Sequence, residues 1–173
     1  MPKRVDPEEE RNLILDRCFP LFVEQGYGGV RMRALAAAAG VSTGKLYHYF
    51  PDKQALMQRL FLHVGGRDVA AAHGMLQGGE SVPERLRLLA DFVESQGAHL
   101  ADTLVLALDH HRLEPGEDAT RDALRLYRQA LTESVGVDDE VLFSALLGML
   151  VRRVLDPEGL DGPAHRRWVE GLR

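Results

Sequence analysis

Residues 39–50 read AGVSTGKLYHYF, and the STGK inside them has two possible chemistries. Glycine, lysine and hydroxyl side chains in this order either cradle a nucleotide phosphate or open the second helix of a DNA-reading helix-turn-helix. A phosphate loop requires glycine, four residues, then Gly-Lys-Ser/Thr after a strand, so that amides converge on the phosphate and a hydroxyl meets magnesium. Ala39 stands at the first position and Leu46 follows Lys45, so both the turn glycine and the metal hydroxyl are missing. A dinucleotide loop fails as well, because Arg31 occupies the place of the third glycine after Gly26-Tyr27-Gly28. No nucleotide or other cofactor is expected.

The helix-turn-helix alternative needs two short helices with apolar inner faces, a small residue where they cross and a glycine in the turn. Leu35, Ala36, Ala39, Gly40, Val41 and Leu46 supply these in order, leaving Thr43, Gly44 and Lys45 facing outward at the start of the second helix. The charge distribution agrees. The whole chain carries −5, but residues 30–53 hold Arg31, Arg33, Lys45 and Lys53 against Asp52 alone. A local basic patch matters more to DNA than the sum over the chain.

The elements that position these groups are helical throughout. Of the 173 residues 45% are hydrophobic and only 6% aromatic, and no strand pattern competes with the Ala-, Leu-, Arg- and Glu-rich helical one. Asp6-Pro7-Glu8-Glu9 caps a first helix running to about Gln25, with the stripe Leu13, Ile14, Cys18, Leu21, Phe22, a kink expected at Pro20 and Gly26 supplying a left-handed end. The second helix spans 31–39 and the third, capped by Ser42, runs from Thr43 to about Tyr49, where Pro51 stops it. Asp52 caps a fourth helix, 53–76, with Leu56, Leu60, Phe61 and Val64 inward and an interruption expected at Gly65-Gly66. After the linker 77–81, helices are expected at 83–96, 98–112, 118–135 and 138–155, with a short one at 163–172. The expected domains are 1–52 for DNA binding and 77–173 for effector binding and dimerisation, connected by the fourth helix.

The run GYGGVRMRALAAAAGVSTGKLYHYFPDKQALMQRLF, with the stripe of the first helix, resembles the N-terminal domain of TetR-family transcriptional regulators over roughly residues 10–62. The resemblance implies an all-α fold: a three-helix DNA-binding headpiece followed by a helical effector-binding and dimerisation domain. It further implies that Ser42, Tyr47, Tyr49 and Lys53 hold the phosphate backbone while Thr43, Gly44 and Lys45 meet base edges in the major groove. His48 is assigned to the DNA side, and Arg31 and Arg33 add charge near the phosphates. Family members commonly carry threonines at the entry to the second helix; Val30 and Arg31 stand here, and the side-chain cap is expected to be lost.

The partners implied are double-stranded DNA with a palindromic operator, a second copy of the chain and a small-molecule effector that releases the repressor. Phe92, His99, Leu104, Leu108, His111 and Tyr127 are the expected effector pocket. Leu124, Tyr127, Leu131, Leu142, Leu146, Met149 and Leu150 are the expected homodimer interface, made by two helices turned back at Gly136. A metal reading of His99, Asp109, His110, His111 and Glu114 is set aside, because adjacent histidines on a helix point about 100° apart. Cys18 reads as a buried packing thiol. The apolar run 143–151 is too short to span a bilayer and the N-terminus lacks a signal core, so a cytoplasmic protein without a membrane partner is expected. Two rivals remain: a helical adaptor whose headpiece binds protein, and an enzyme built on the second domain, for which no paired carboxylates or nucleophile-base set appears.

Overall fold

The computed structural model describes residues 6–116, 119–137 and 140–156, and the helix expected at 163–172 lies outside them. Among the described residues there are seven helices and no strand: α1 (Pro7–Gly29), α2 (Met32–Ala39), α3 (Thr43–Tyr49), α4 (Lys53–Leu76), α5 (Val82–Leu113), α6 (Ala119–Val135) and α7 (Glu140–Leu155). Among the described residues no helix is long and apolar enough to cross a membrane.

Local chemistry sets the ends of the first four helices. The Asp6 carboxylate accepts the Glu8 N–H at 2.9 Å, Pro7 fits the first turn, and three glutamates complement the positive end of the α1 dipole. Gly40, at φ 71 and ψ 28, closes α2, and the N–H groups of Gly40 and Val41 satisfy the carbonyls of Ala37 and Ala36. The Ser42 hydroxyl accepts the Lys45 N–H at 3.1 Å and starts α3; Asp52 accepts the Ala55 N–H at 2.7 Å and starts α4. Arg31 precedes α2 without a side-chain cap.

Three breaks expected from glycine and proline lie elsewhere or are missing. Pro20 is exposed on α1, and the backbone leaves helical angles at Gly26 instead, at φ 70 and ψ 165, a conformation open essentially to glycine alone. Its ψ is extended rather than left-handed helical. Gly65-Gly66 and Gly97 sit inside uninterrupted helices. Packing explains two of the three: a Cβ on Gly65 would stand 3.1 Å from Leu126 Cδ2, and one on Gly97 would stand 3.0 Å from the Arg153 guanidinium. These glycines make room for a neighbour, which outweighs their low helix propensity.

The chain divides into two compact units, Met1–Val64 with Leu106–Ala123, and Gly65–Val105 with Leu124–Arg173. Residues 106–113 of α5 and the start of α6 therefore belong to the same unit as the headpiece. Its core gathers Ile14, Leu15, Cys18 and Phe22 of α1, Leu35, Ala36 and Ala39 of α2, Leu46 of α3, and Leu56, Met57, Leu60 and Phe61 of α4. Leu15 is buried in place of Leu13, which is exposed. Burial pushes the Cys18 thiol up to about 12, and its S–H faces the Leu35 carbonyl at 3.7 Å, so it is a packing residue.

The second unit has its own core, built on Leu76, Leu89, Phe92, Val93, Leu100, Leu131, Val135 and Leu142, with Leu146, Met149 and Leu150 packed against it. Leu131 and Leu142 are thus committed to the interior of their own unit, at 8% and 3% exposure, and do not present a surface to a second copy.

Candidate nucleic-acid interface

Helix α3 is short and is seated by one side chain. Leu46 is fully buried in the core cluster it shares with residues of α1, α2 and α4, with Phe50 buried at the helix end, which fixes the rotation of the helix about its axis. Thr43, Gly44, Lys45, Tyr47 and His48 are consequently exposed on the other side, Tyr47 at 49%. A Cβ on Gly44 would meet no atom within 4 Å, so the first turn of α3 offers bare backbone to whatever approaches it. Arg31 and Arg33 are exposed on and beside α2.

Two further cations and a tyrosine have partners inside this unit. The Lys45 ammonium forms an ion pair with Glu10 of α1, and the Tyr49 hydroxyl donates to the other Glu10 oxygen at 2.6 Å. His48 meets the Tyr49 ring edge-on at 5.4 Å, and the Arg11 guanidinium lies 5.8 Å from the same ring. The Lys45 and Tyr49 hydrogen bonds hold the Glu10 carboxyl below its ordinary range, and Glu10 in turn raises Lys45 and Tyr49.

Lys53 is tied into the corner joining α1 to α2. Its ammonium donates to the carbonyls of Tyr27 at 2.8 Å and Val30 at 3.2 Å and lies 4.1 Å from the Tyr27 ring centroid. Burial lowers its pKa, offset in part by the carboxylates of Glu114 and Asp109. The same corner is gripped from α5: Asp109 accepts the Tyr27 N–H at 2.8 Å, and the Tyr27 hydroxyl donates to Glu114 at 3.1 Å. The His110 ring, buried, stands edge-on to Tyr27 at 4.8 Å and to Phe61 at 5.7 Å. Arg112, then the backbone N–H groups of Tyr27 and Gly28, hold the Asp109 carboxyl low against the opposing effect of burial.

The structure thus gives Asp109, His110 and Glu114 work at this corner, while His111 is exposed and His99 lies in the second unit. Among the described residues no three His, Cys, Asp or Glu side chains are grouped to hold a metal ion. Glu10 does not stand out as a site residue in the sequence, and Asp109 stands out only as a possible metal ligand, not as a partner of Tyr27. The Glu10 partners lie 35 and 39 positions away, and Tyr27 lies 82 positions from Asp109, distances at which no local spacing carries a signal.

The residues expected to line an effector pocket fall in both units. Leu108 and His111 are exposed residues of the first, Leu108 at 54%. Phe92, His99, Leu104 and Tyr127 are in the second, where Phe92 is core. There His99 Nε2 lies 3.0 Å from one oxygen of the buried Asp68, and the Tyr127 hydroxyl donates to the other at 2.5 Å. Burial, then the Asp68 charge, raises the Tyr127 phenol far above its ordinary range.

Residues 14–60, the span from the buried face of α1 through α3 into α4, match the family model described as bacterial regulatory proteins, tetR family. Over those residues the chain is similar to the N-terminal domain of TetR-family proteins. The match takes in the whole of α2 and α3. The HTH-type transcriptional regulator UidR of Escherichia coli K12 is 29% identical over 75 residues, which cover 43% of this chain and 38% of that protein. The HTH-type transcriptional repressor KstR of Rhodococcus jostii RHA1 is 46% identical over 50 residues, covering 29% of this chain and 24% of KstR. The chain thus spans well under half the length of these curated relatives. Over nearly the whole chain, a putative transcriptional regulator from Saccharomonospora viridis, solved in complex with choline, superposes with a TM-score of 0.74. It is 17% identical and covers 95% of each chain.

Proposed function

We propose that this protein is a homodimeric, DNA-binding transcriptional repressor, acting in the compartment that holds the DNA and released from a palindromic operator by a small-molecule effector. The observation that carries the reading is the presentation of α3: one buried leucine fixes the helix while Thr43, Gly44 and Lys45 stand exposed at its N-terminal turn. A helix so mounted enters the major groove with its first turn on the base edges, where Lys45 donates to guanine O6 and N7. Ser42, Tyr47, His48, Arg31 and Arg33 supply hydroxyl, ring and guanidinium donors for phosphate oxygens, and Tyr49 joins them where its hydroxyl proton is released from Glu10. Lys53 uses two of its three N–H donors on the corner carbonyls and directs the third to phosphate.

One headpiece covers too few base pairs for an operator, so two copies act together. With Leu131 and Leu142 committed to their own core, the exposed face of α7 is the better pairing surface. Val141, Ser144, Gly148, Val151 and Leu155 recur on it at helical spacing, all exposed. The effector enters the second unit, where the Asp68 carboxylate with His99 and Tyr127 offers a polar anchor beside the apolar Phe92 cluster. The choline held by the Saccharomonospora viridis regulator supports a small ligand in this fold.

A salt titration of duplex binding tests the proposal. The expected result is a linear fall of log affinity with log salt, of slope about −0.9 for each phosphate neutralised, from a species that sediments as a dimer. A protein that stays monomeric and binds no duplex at low ionic strength contradicts it.

A further inference from the structure

We propose that the second unit carries a binding site for a small zwitterion of the α-amino-acid class, in which Arg85 takes the ligand's carboxylate and Glu133 its ammonium. The site shares no residue with the Asp68 cluster and does not depend on DNA binding. A cleft of about 220 Å³ lies where the end of α4, the turn before α5 and the end of α6 meet, and Arg85, Glu133, His73, Ser134 and the buried Leu76 are among the residues that line it. All of these belong to the second unit. The volume is below the about 300–1,000 Å³ of sites for drug-sized molecules, which limits the occupant to a small one.

Arg85 is fixed by backbone groups. Its Nε donates to the carbonyl of Val135, the last residue of α6, at 3.0 Å, and its Nη1 donates to the Gly79 carbonyl at 3.3 Å. Of the five N–H donors of a guanidinium three remain, two of them on Nη2. Glu133, exposed, has one oxygen engaged, since Oε1 accepts the Gln129 side-chain amide at 2.8 Å, and Oε2 remains. Among the described residues neither Arg85 nor Glu133 has an ion-pair partner, and although both line one cleft they do not pair with each other. A cation and an anion held apart on one cleft suit a molecule that carries both charges and bridges them. A simple anion would meet Glu133 as a like charge, and a simple cation would meet Arg85 in the same way. The planar guanidinium matches the geometry of a carboxylate. His73, held between Ser134 at 3.1 Å and Gln77 at 2.9 Å, gives the cleft a fixed polar wall, and Leu76 gives the ligand's own side chain an apolar one.

The test uses the whole protein without DNA and three related probes: valine, 3-methylbutanoate, which lacks the ammonium, and 2-methylpropylamine, which lacks the carboxylate. In an amide NMR titration valine should give saturable shifts at His73, Gln77, Arg85 and residues 133–136, with a Kd of about 1 mM or below. The two singly charged probes should bind at least about tenfold more weakly. Glu133→Gln keeps an acceptor for Gln129 at an exposed position and removes the charge, so it should bring valine and 3-methylbutanoate to about equal affinity. Arg85→Gln should do the same for valine and 2-methylpropylamine. Because Arg85 also holds the end of α6, the Glu133 variant decides the question if the Arg85 variant does not fold. Equal affinity of the wild type for the three probes, shifts confined to other parts of the chain, or a Glu133→Gln protein that still prefers valine to 3-methylbutanoate overturns the inference. So does a titration in which valine does not saturate.

Discussion

The backbone N–H of Tyr27 donates to Oδ2 of Asp109 at 2.8 Å, joining residues 82 positions apart. This bond fastens the corner that precedes the helix-turn-helix to the C-terminal end of α5, within the same unit. Gly26 makes the approach possible, since a Cβ there would stand 3.0 Å from Asp109 Oδ2. Asp109→Ala leaves a half-buried N–H without its acceptor and should destabilise the protein by about 1–2 kcal/mol in urea denaturation. The pH dependence has a definite sign. The folded Asp109 carboxyl is held below its unfolded value, so its contribution is complete above about pH 4 and is lost as pH falls through the lower, folded value. Asp109→Asn should flatten that acid limb.

Gly44→Ala separates stability from function. The added methyl meets nothing within 4 Å, and alanine favours helix over glycine by about 0.5–1 kcal/mol, so the variant should melt at or above the wild-type temperature. In the proposed complex the same methyl stands between the α3 backbone and the base edges. Duplex affinity should fall about tenfold, equivalent to about 1.4 kcal/mol.

Lys53→Ala should do two things at once. Removing the proposed phosphate contact should weaken binding to all sequences alike and lower the salt slope by about one. Removing the donor to the Tyr27 and Val30 carbonyls costs about 1 kcal/mol of stability, visible by denaturation without any DNA. A slope that does not change removes Lys53 from the interface and leaves it a purely structural lysine.

Gly65 and Gly66 should respond in opposite directions. A Cβ on Gly66 meets open space, and Gly66→Ala should stabilise by about 0.5–1 kcal/mol. A Cβ on Gly65 presses on Leu126 Cδ2 at 3.1 Å and comes within 3.6 Å of the Tyr127 ring, so Gly65→Ala should stabilise less or destabilise. If the pair is there for packing, Gly66→Ala leaves ligand release from DNA unaltered. An altered response identifies a hinge in α4.

The local features of this protein are legible in its sequence and the long-range ones are not. Gly40, Ser42, Pro51 and Asp52 mark the ends of α2, α3 and α4 because each acts on backbone groups within four residues of itself. Leu46 and Ala36 announce the crossing of the two short helices by size and spacing. The same local logic fails at Gly97 and Gly65, where tertiary neighbours, Arg153 and Leu126, decide what the glycine is for. It fails again for the acidic and histidine residues of α5. Their spacing suggests ligands, while their contacts are with a backbone amide, a phenol and two rings far earlier in the chain. The exposed face of α3 is legible; the carboxylate of Glu10 beside it becomes visible only once α1 and α3 are packed together.

Entry of α3 into the major groove in two copies is tested by footprinting the wild-type protein on the duplex it selects. The predicted result is protection of two half-sites related by a dyad, centred one helical turn apart at about 34 Å, with guanine N7 under Lys45 shielded from methylation and exposed again in Lys45→Met. A single unpaired footprint, or N7 protection that is indifferent to Lys45, would contradict it.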